Sequence, residues 1–95
     1  MDKAFFFITF ETTHKAIAFE NLLIEYFDIE LIPTPREVTA SCGLSLKFEE
    51  ADKHQVIKAL ETQDLSEVKL YYYYKHFDKT QAVAVDWRDE DANEA

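Results

Sequence analysis

The stretch Leu44-Ser45-Leu46-Lys47-Phe48-Glu49 alternates strictly between apolar and polar side chains. Successive side chains of a β-strand point to opposite faces of the sheet, so this pattern predicts that Leu44, Leu46 and Phe48 face the core. The polar side chains between them face away from it. The sequence therefore predicts a half-buried strand in the middle of the chain.

The segments around this strand predict further elements. Residues 4–10 are an aromatic run typical of a strand that is buried on both faces, and residues 29–32 form another short strand. Apolar side chains recur at helical spacing in residues 13–27. Asp52, followed three positions later by Gln55, resembles a capping box and predicts the start of a second helix.

The remaining elements complete a common architecture. Thr12 or Thr13 can cap the first helix, and the second ends near Gln63. Residues 68–75 form an aromatic strand, and residues 82–87 are either an additional strand or a strap. The order β-α-β-β-α-β predicts an α+β fold, the ferredoxin-like two-layer sandwich with an antiparallel sheet of strand order 4-1-3-2.

The length of the chain limits the number of domains, and its net charge limits the class of binding partner. The 95 residues allow one domain, which we place at residues 1–80, with residues 81–95 as an extension that ends in an acidic, disordered tail. The formal net charge of −9 disfavours nucleic acid as a partner, because binding to a phosphate backbone depends on basic side chains.

No apolar run is long enough to suggest a membrane span or a secretion signal, and the lone cysteine cannot form a disulfide within the chain. We therefore expect a cytoplasmic protein whose thiol stays reduced. His14, His54 and His76 show no metal-ligand spacing with Cys42, so neither a metal nor a cofactor is predicted.

In a two-layer sandwich the helices cover only one face of the sheet. Phe5 and Phe7 on the first strand, and Tyr71 and Tyr73 on the last, would then stand on the uncovered face. A contiguous aromatic patch usually marks an interface. The patch is either buried in a homodimer or covered by residues 82–87 folding back over it, and the sequence leaves both readings open.

Residues 33–43 are the candidate functional loop. They hold both prolines, the only glycine and the only cysteine. The predicted topology brings this loop to the same sheet edge as the start of the first helix. A thiolate on Cys42 would meet the guanidinium of Arg36, the helix N-terminus near His14 and the backbone N–H of Gly43. The alternative is a buried cysteine that acts as a small hydrophobic side chain.

The loop, Ile-Pro-Thr-Pro-Arg-Glu-Val-Thr-Ala-Ser-Cys-Gly-Leu in residues 32–44, together with residues 10–16, resembles the selenium/sulfur carrier-like family of small bacterial proteins. The resemblance covers about residues 4–75. It implies a small cytosolic protein in which Cys42 carries sulfur or selenium. Other residues match the same motifs and are implied to support the thiol: Arg36, Thr39, Ser41, Gly43, Thr13 and His14.

This resemblance and the loop together favour a single-thiol carrier that holds a persulfide or perselenide. Its expected partners are a sulfur or selenium donor, such as a cysteine desulfurase, and an acceptor protein. A non-catalytic ligand-binding or interaction module that dimerises through the open sheet face is the alternative. An enzyme that uses Cys42 for covalent catalysis is less favoured, because the sequence shows no clear general base.

Overall fold

A computed structural model of the protein describes residues 4–40 and 42–87. It has an α+β fold with two helices and an antiparallel five-stranded sheet, which confirms the predicted α+β class but not the specific ferredoxin-like arrangement. In chain order the elements are β1 (Phe5–Thr9), α1 (Thr13–Leu23), β2 (Ile29–Pro33), β3 (Leu44–Phe48), a 3-10 turn (Glu50–Asp52), α2 (Lys53–Leu60), β4 (Lys69–His76) and β5 (Lys79–Val85).

The strands lie in the order β2-β3-β1-β4-β5, and every neighbouring pair is antiparallel. The first four strands have the expected neighbours. The sheet as a whole differs from a simple four-stranded βαββαβ sandwich, because β5 adds a fifth strand beside β4. The expected domain boundary after residue 80 falls inside β5, and residues 88–95 of the acidic tail lie outside the described part of the chain.

The core lies between the sheet and the helices. The alternating pattern of β3 acts as predicted, since Leu46 and Phe48 are buried with Phe6 and Ile8 of the neighbouring strand β1. Helix α1 contributes three buried side chains at helical spacing, namely Ala16, Phe19 and Leu23. The hydroxyl of Thr12 caps this helix by accepting a hydrogen bond from the Lys15 N–H at 3.1 Å.

Helix α1 is shorter than the apolar spacing predicted. It ends at Leu23 rather than at residue 27, because the Leu23 carbonyl accepts hydrogen bonds from the N–H groups of both Tyr26 and Phe27 in a closing turn. Beyond this point Ile24 and Tyr26 are exposed, while Phe27 is half-buried and still packs against the core.

The predicted capping box at α2 is wrong. Asp52 precedes the helix, but its side chain makes no capping hydrogen bond. It belongs to the 3-10 turn and has φ −94° and ψ 0°, whereas a capping side chain needs an extended backbone. The helix ends at Leu60 rather than near Gln63, whose N–H bonds to the Leu60 carbonyl in the turn that follows.

The sheet face away from the helices is less open than the sequence suggested. Phe7 is 0% exposed, while Phe5, Tyr71 and Tyr73 are half-buried around it. The rings of Phe7 and Tyr71 stack with centroids 5.2 Å apart. All four aromatic side chains lie on the predicted face, but the expectation of an exposed patch does not hold for Phe7.

The loop of residues 34–43, which we call the cysteine loop, makes a hydrogen-bonded contact with this face of the sheet. In β5, Thr80 pairs with Lys75 and so shares its face with Tyr71 and Tyr73. The Thr80 hydroxyl donates a hydrogen bond to the carboxylate of Glu37 in the cysteine loop. Residues 82–87 were predicted to be either an additional strand or a strap, and the strand is found: β5 extends the sheet, and Trp87 donates its indole N–H to the Val68 carbonyl at 3.1 Å.

The hairpin between β4 and β5 contains a residue in a strained conformation. Phe77 has φ 57° and its side chain is 86% exposed, so it contributes little to the core. We expect Phe77→Gly to raise the free energy of unfolding by about 0.5–1 kcal/mol, because a left-handed backbone costs glycine least. Urea denaturation measures the change. Lower stability in the glycine variant would show that the contact between the Phe77 and His76 rings, 4.4 Å between centroids, outweighs the backbone strain.

Candidate thiol site

Backbone hydrogen bonds fix the position of Cys42 at one edge of the sheet. Its N–H donates to the carbonyl of Phe10, the residue after β1, at 3.3 Å. Its own carbonyl accepts a hydrogen bond from the Thr34 hydroxyl at 3.3 Å. The Thr34 N–H in turn bonds to the Gly43 carbonyl at 2.9 Å, which closes the base of the cysteine loop. The loop and the start of α1 thus lie side by side, as the topology predicted.

The sulfur atom of Cys42 lies against the first turn of α1. Its two hydrogen-bond partners in the described part of the chain are the hydroxyl of Thr13, 3.4 Å from Sγ, and the backbone N–H of Leu44, also 3.4 Å away. Thr13 is the first residue of an eleven-residue helix. The N-terminus of a helix carries a partial positive charge, and the contact with Thr13 brings the sulfur to that end of α1.

Cys42 is buried, as the alternative of a small hydrophobic cysteine expected, and it does not stand open to solvent beside Arg36. Only 4% of the residue is exposed, and it belongs to the hydrophobic cluster that includes Phe10, Phe19 and Leu46. The prolines and the glycine allow the chain to turn, but the turn carries Cys42 toward the core rather than toward solvent. In this structure the sulfur is therefore almost entirely shielded from solvent.

The other predicted support residues are mostly exposed. Arg36, Thr39 and His14 are on the surface, and Arg36 is not one of the two sulfur partners described above. Arg36 lies in the turn that the Val38 N–H closes on the Pro35 carbonyl at 3.1 Å. The structure therefore brings Thr13 to the sulfur and leaves these three side chains in solvent.

The two sequence neighbours of Cys42, Ser41 and Gly43, were also predicted to support the thiol. Gly43 has no positive φ, and the backbone N–H that bonds to the sulfur is that of Leu44 rather than the expected one of Gly43. A Cβ atom added there would meet nothing within 4 Å, and the space beside the cysteine is open on this side. Ser41 lies outside the described residues.

Two polar side chains that sequence reasoning missed hold the loop in place. The hydroxyls of Thr34 and Ser45 are hydrogen-bonded at 2.7 Å, and Ser45 is 0% exposed. A buried hydroxyl needs a partner, and Thr34 provides it from the base of the cysteine loop. The only available signal was that Ser45 alternates with core residues in β3, and that pattern placed it on the face away from the helices.

A polar cleft of about 300 Å³ lies beside the thiol site. Its walls come from residues 9–11 at the end of β1, from Thr39 and Ala40 of the cysteine loop, and from Lys69 and Tyr71 of β4, with Glu67 just before that strand. Two residues of the wall lie close to Cys42. The carbonyl of Phe10 accepts a hydrogen bond from the Cys42 N–H, and Ala40 lies two positions before Cys42 in the sequence.

In residues 4–40 and 42–87, no three His, Cys, Asp or Glu side chains are grouped so that they could hold a metal ion. No helix in the same residues has the length and apolarity needed to cross a membrane.

Comparison with known proteins places this site in a family. The family described as "Putative Se/S carrier protein-like" matches residues 5–72, which include β1 through the first part of β4 and the whole cysteine loop. The chain belongs to this Se/S carrier-like family. The match confirms the resemblance seen in the sequence, and it spans every residue named so far around the sulfur.

A curated relative adds little about function. The chain is 29% identical over 62 residues to an uncharacterised protein of Methanocaldococcus jannaschii, a match that covers 65% of this chain and 32% of that protein. The chain thus spans about a third of the length of the curated relative it matches. No solved structure matches the chain significantly.

Proposed function

We propose that this protein carries sulfur or selenium on Cys42, as a persulfide or perselenide, from a donor protein such as a cysteine desulfurase to an acceptor protein. Membership of the Se/S carrier-like family supports the class of cargo. The observation that carries the proposal is the position of the sulfur, which has a hydroxyl and a backbone N–H beside it at the N-terminus of α1.

The transfer needs no oxidant. The Cys42 thiolate attacks the outer sulfur of a persulfide on the donor, the S–S bond of the donor breaks, and a new S–S bond forms on Cys42. The donor leaves as a thiolate, so the electron pair and the proton count balance. The same exchange with selenium as the outer atom gives a perselenide. Delivery to the acceptor repeats the step with Cys42 as the leaving thiolate.

Burial of Cys42 would protect a bound persulfide between loading by the donor and delivery to the acceptor. A persulfide in solvent is attacked by free thiols, whereas the closed cysteine loop leaves Cys42 only 4% exposed. Hydrogen bonds from Thr13 and Leu44 would also stabilise an anionic sulfur in that closed state. Loading and delivery would then occur while the loop is open.

The lone thiol fits a carrier better than a dithiol oxidoreductase. The sequence has one cysteine, so no second thiol in the chain can resolve a mixed disulfide on Cys42. A persulfide carrier needs only one. A cytoplasmic location, where thiols stay reduced, belongs to this proposal.

Loading is tested with a cysteine desulfurase and L-cysteine, followed by intact mass measurement under native conditions. We expect a mass increase of one sulfur atom that dithiothreitol removes, and none in Cys42→Ser. A parallel reaction with L-selenocysteine and a selenocysteine lyase tests for selenium. A wild-type chain that stays unmodified with both donors would exclude the carrier role.

A further inference from the structure

The polar cleft beside the thiol site has the charges to bind a small zwitterion. Lys69 contributes an ammonium group, while Glu11 and Glu67 contribute two carboxylates. Lys69 pairs with Thr9 across β1 and β4 and shares the face of Tyr71. Within residues 4–40 and 42–87, no ion pair joins Lys69 to either carboxylate.

One wall of the cleft is held in a costly conformation. Glu67 has φ 62°, a left-handed backbone that is uncommon outside glycine. Strained backbone of this kind is found disproportionately at binding sites, where the surrounding structure fixes a side chain in a required position. In this fold it fixes a carboxylate immediately before β4, two positions from Lys69.

We propose that the cleft binds the head group of a free α-amino acid, with the ligand carboxylate on Lys69 and the ligand ammonium on Glu11 and Glu67. A simple anion would be repelled by two carboxylates, and a simple cation would leave Lys69 without a partner. The hydroxyls of Thr9 and Thr39 offer neutral hydrogen bonds in the same space. A volume of about 300 Å³ suits a ligand of this size.

The position of the cleft gives this ligand a role that rests on the proposed function. Ala40 is two residues from Cys42, so their Cα atoms are at most about 7 Å apart, roughly the length of a cysteine persulfide side chain with its head group. A cysteine persulfide held by its head group would then reach the sulfur of Cys42 when the loop opens. Its outer sulfur would pass to Cys42 by the balanced exchange given above, and free cysteine would leave.

The test uses the full chain as Cys42→Ser, so that binding is measured without thiol exchange. L-cysteine is titrated while backbone amide resonances are recorded, and N-acetyl-L-cysteine and L-cysteine methyl ester are titrated in parallel. We expect shifts centred on Ala40, Glu67 and Lys69. Each capped analogue should bind about tenfold more weakly, because it lacks one charged hydrogen-bonding group.

Two lysine variants make the test specific. Lys69→Met should bind L-cysteine and its methyl ester equally, whereas Lys79→Met, which changes an exposed lysine at the start of β5, should keep the preference. Three results would each overturn the inference. The parent protein could bind all three ligands equally, it could show no shifts at millimolar L-cysteine, or Lys69→Met could keep the preference for L-cysteine over its methyl ester. Loading from a desulfurase could still occur in any of these cases, so the two proposals fail independently.

Discussion

Phe7→Ala lowers the free energy of unfolding by about 3–5 kcal/mol, the largest stability effect that we expect from one substitution on this sheet face. Phe7 is fully buried although it lies on the face that no helix covers. Its ring packs beside those of Phe5, Tyr71 and Tyr73, with centroids 5.2–6.3 Å away. Truncation removes these contacts and leaves a cavity among the surrounding aromatic rings. Chemical denaturation followed by circular dichroism measures the loss.

Phe77→Ala is the matched control, because it makes the same change at a side chain that is 86% exposed. Its effect should be within about 0.5 kcal/mol of the parent protein. A similarly small effect for Phe7→Ala would mean that the Phe7 side chain is not buried in solution. The aromatic patch would then be open, as the sequence alone suggested.

Thr34→Val raises the rate at which iodoacetamide alkylates Cys42 in the native protein by about tenfold. The substitution removes the bonds of the Thr34 hydroxyl to the Cys42 carbonyl and to the buried Ser45 hydroxyl. An unpaired buried hydroxyl costs about 1–3 kcal/mol, and 1.4 kcal/mol is a factor of ten in an equilibrium. Since Cys42 is buried, its alkylation rate follows the fraction of open molecules when the loop opens and closes quickly.

Thr39→Val provides the control for this measurement, since Thr39 is an exposed threonine of the same loop. It should leave the alkylation rate within about twofold of the parent value. The global stability of Thr34→Val is measured alongside, so that local opening is distinguished from complete unfolding. If Cys42 is alkylated at the same rate in the native parent protein, in Thr34→Val and in a denatured sample, the thiol is already accessible in the native parent protein.

Local patterns predicted most of the fold. Alternation in residues 44–49 placed β3, the aromatic run placed β1, and Thr12 was one of the two expected caps of α1. These features depend on neighbouring side chains in the sequence. The ends of the helices were less predictable, because Ile24 and Tyr26 continue the apolar spacing without facing the core. Strand β5 was ambiguous for a similar reason: Thr80 and Gln81 interrupt its apolar pattern.

The site was predictable in position but not in exposure. Topology alone brings the loop to the start of α1, so the contact between Cys42 and Thr13 follows from the strand order. The burial of the sulfur does not follow from it. The hydroxyl pair of Thr34 and Ser45 joins the base of the loop to β3 across eleven positions of sequence, and local pattern does not reveal it. The contact of Glu37 with Thr80 spans 43 positions and is equally invisible to local pattern.

The central claim, that Cys42 holds the cargo, is tested most directly by counting sulfane sulfur on the purified, loaded protein by cold cyanolysis. We expect close to one sulfane sulfur per chain, since the sequence contains one cysteine. Cys42→Ser, prepared in the same way, should give none. A wild-type value far below one, or the same value in both proteins, would contradict the account.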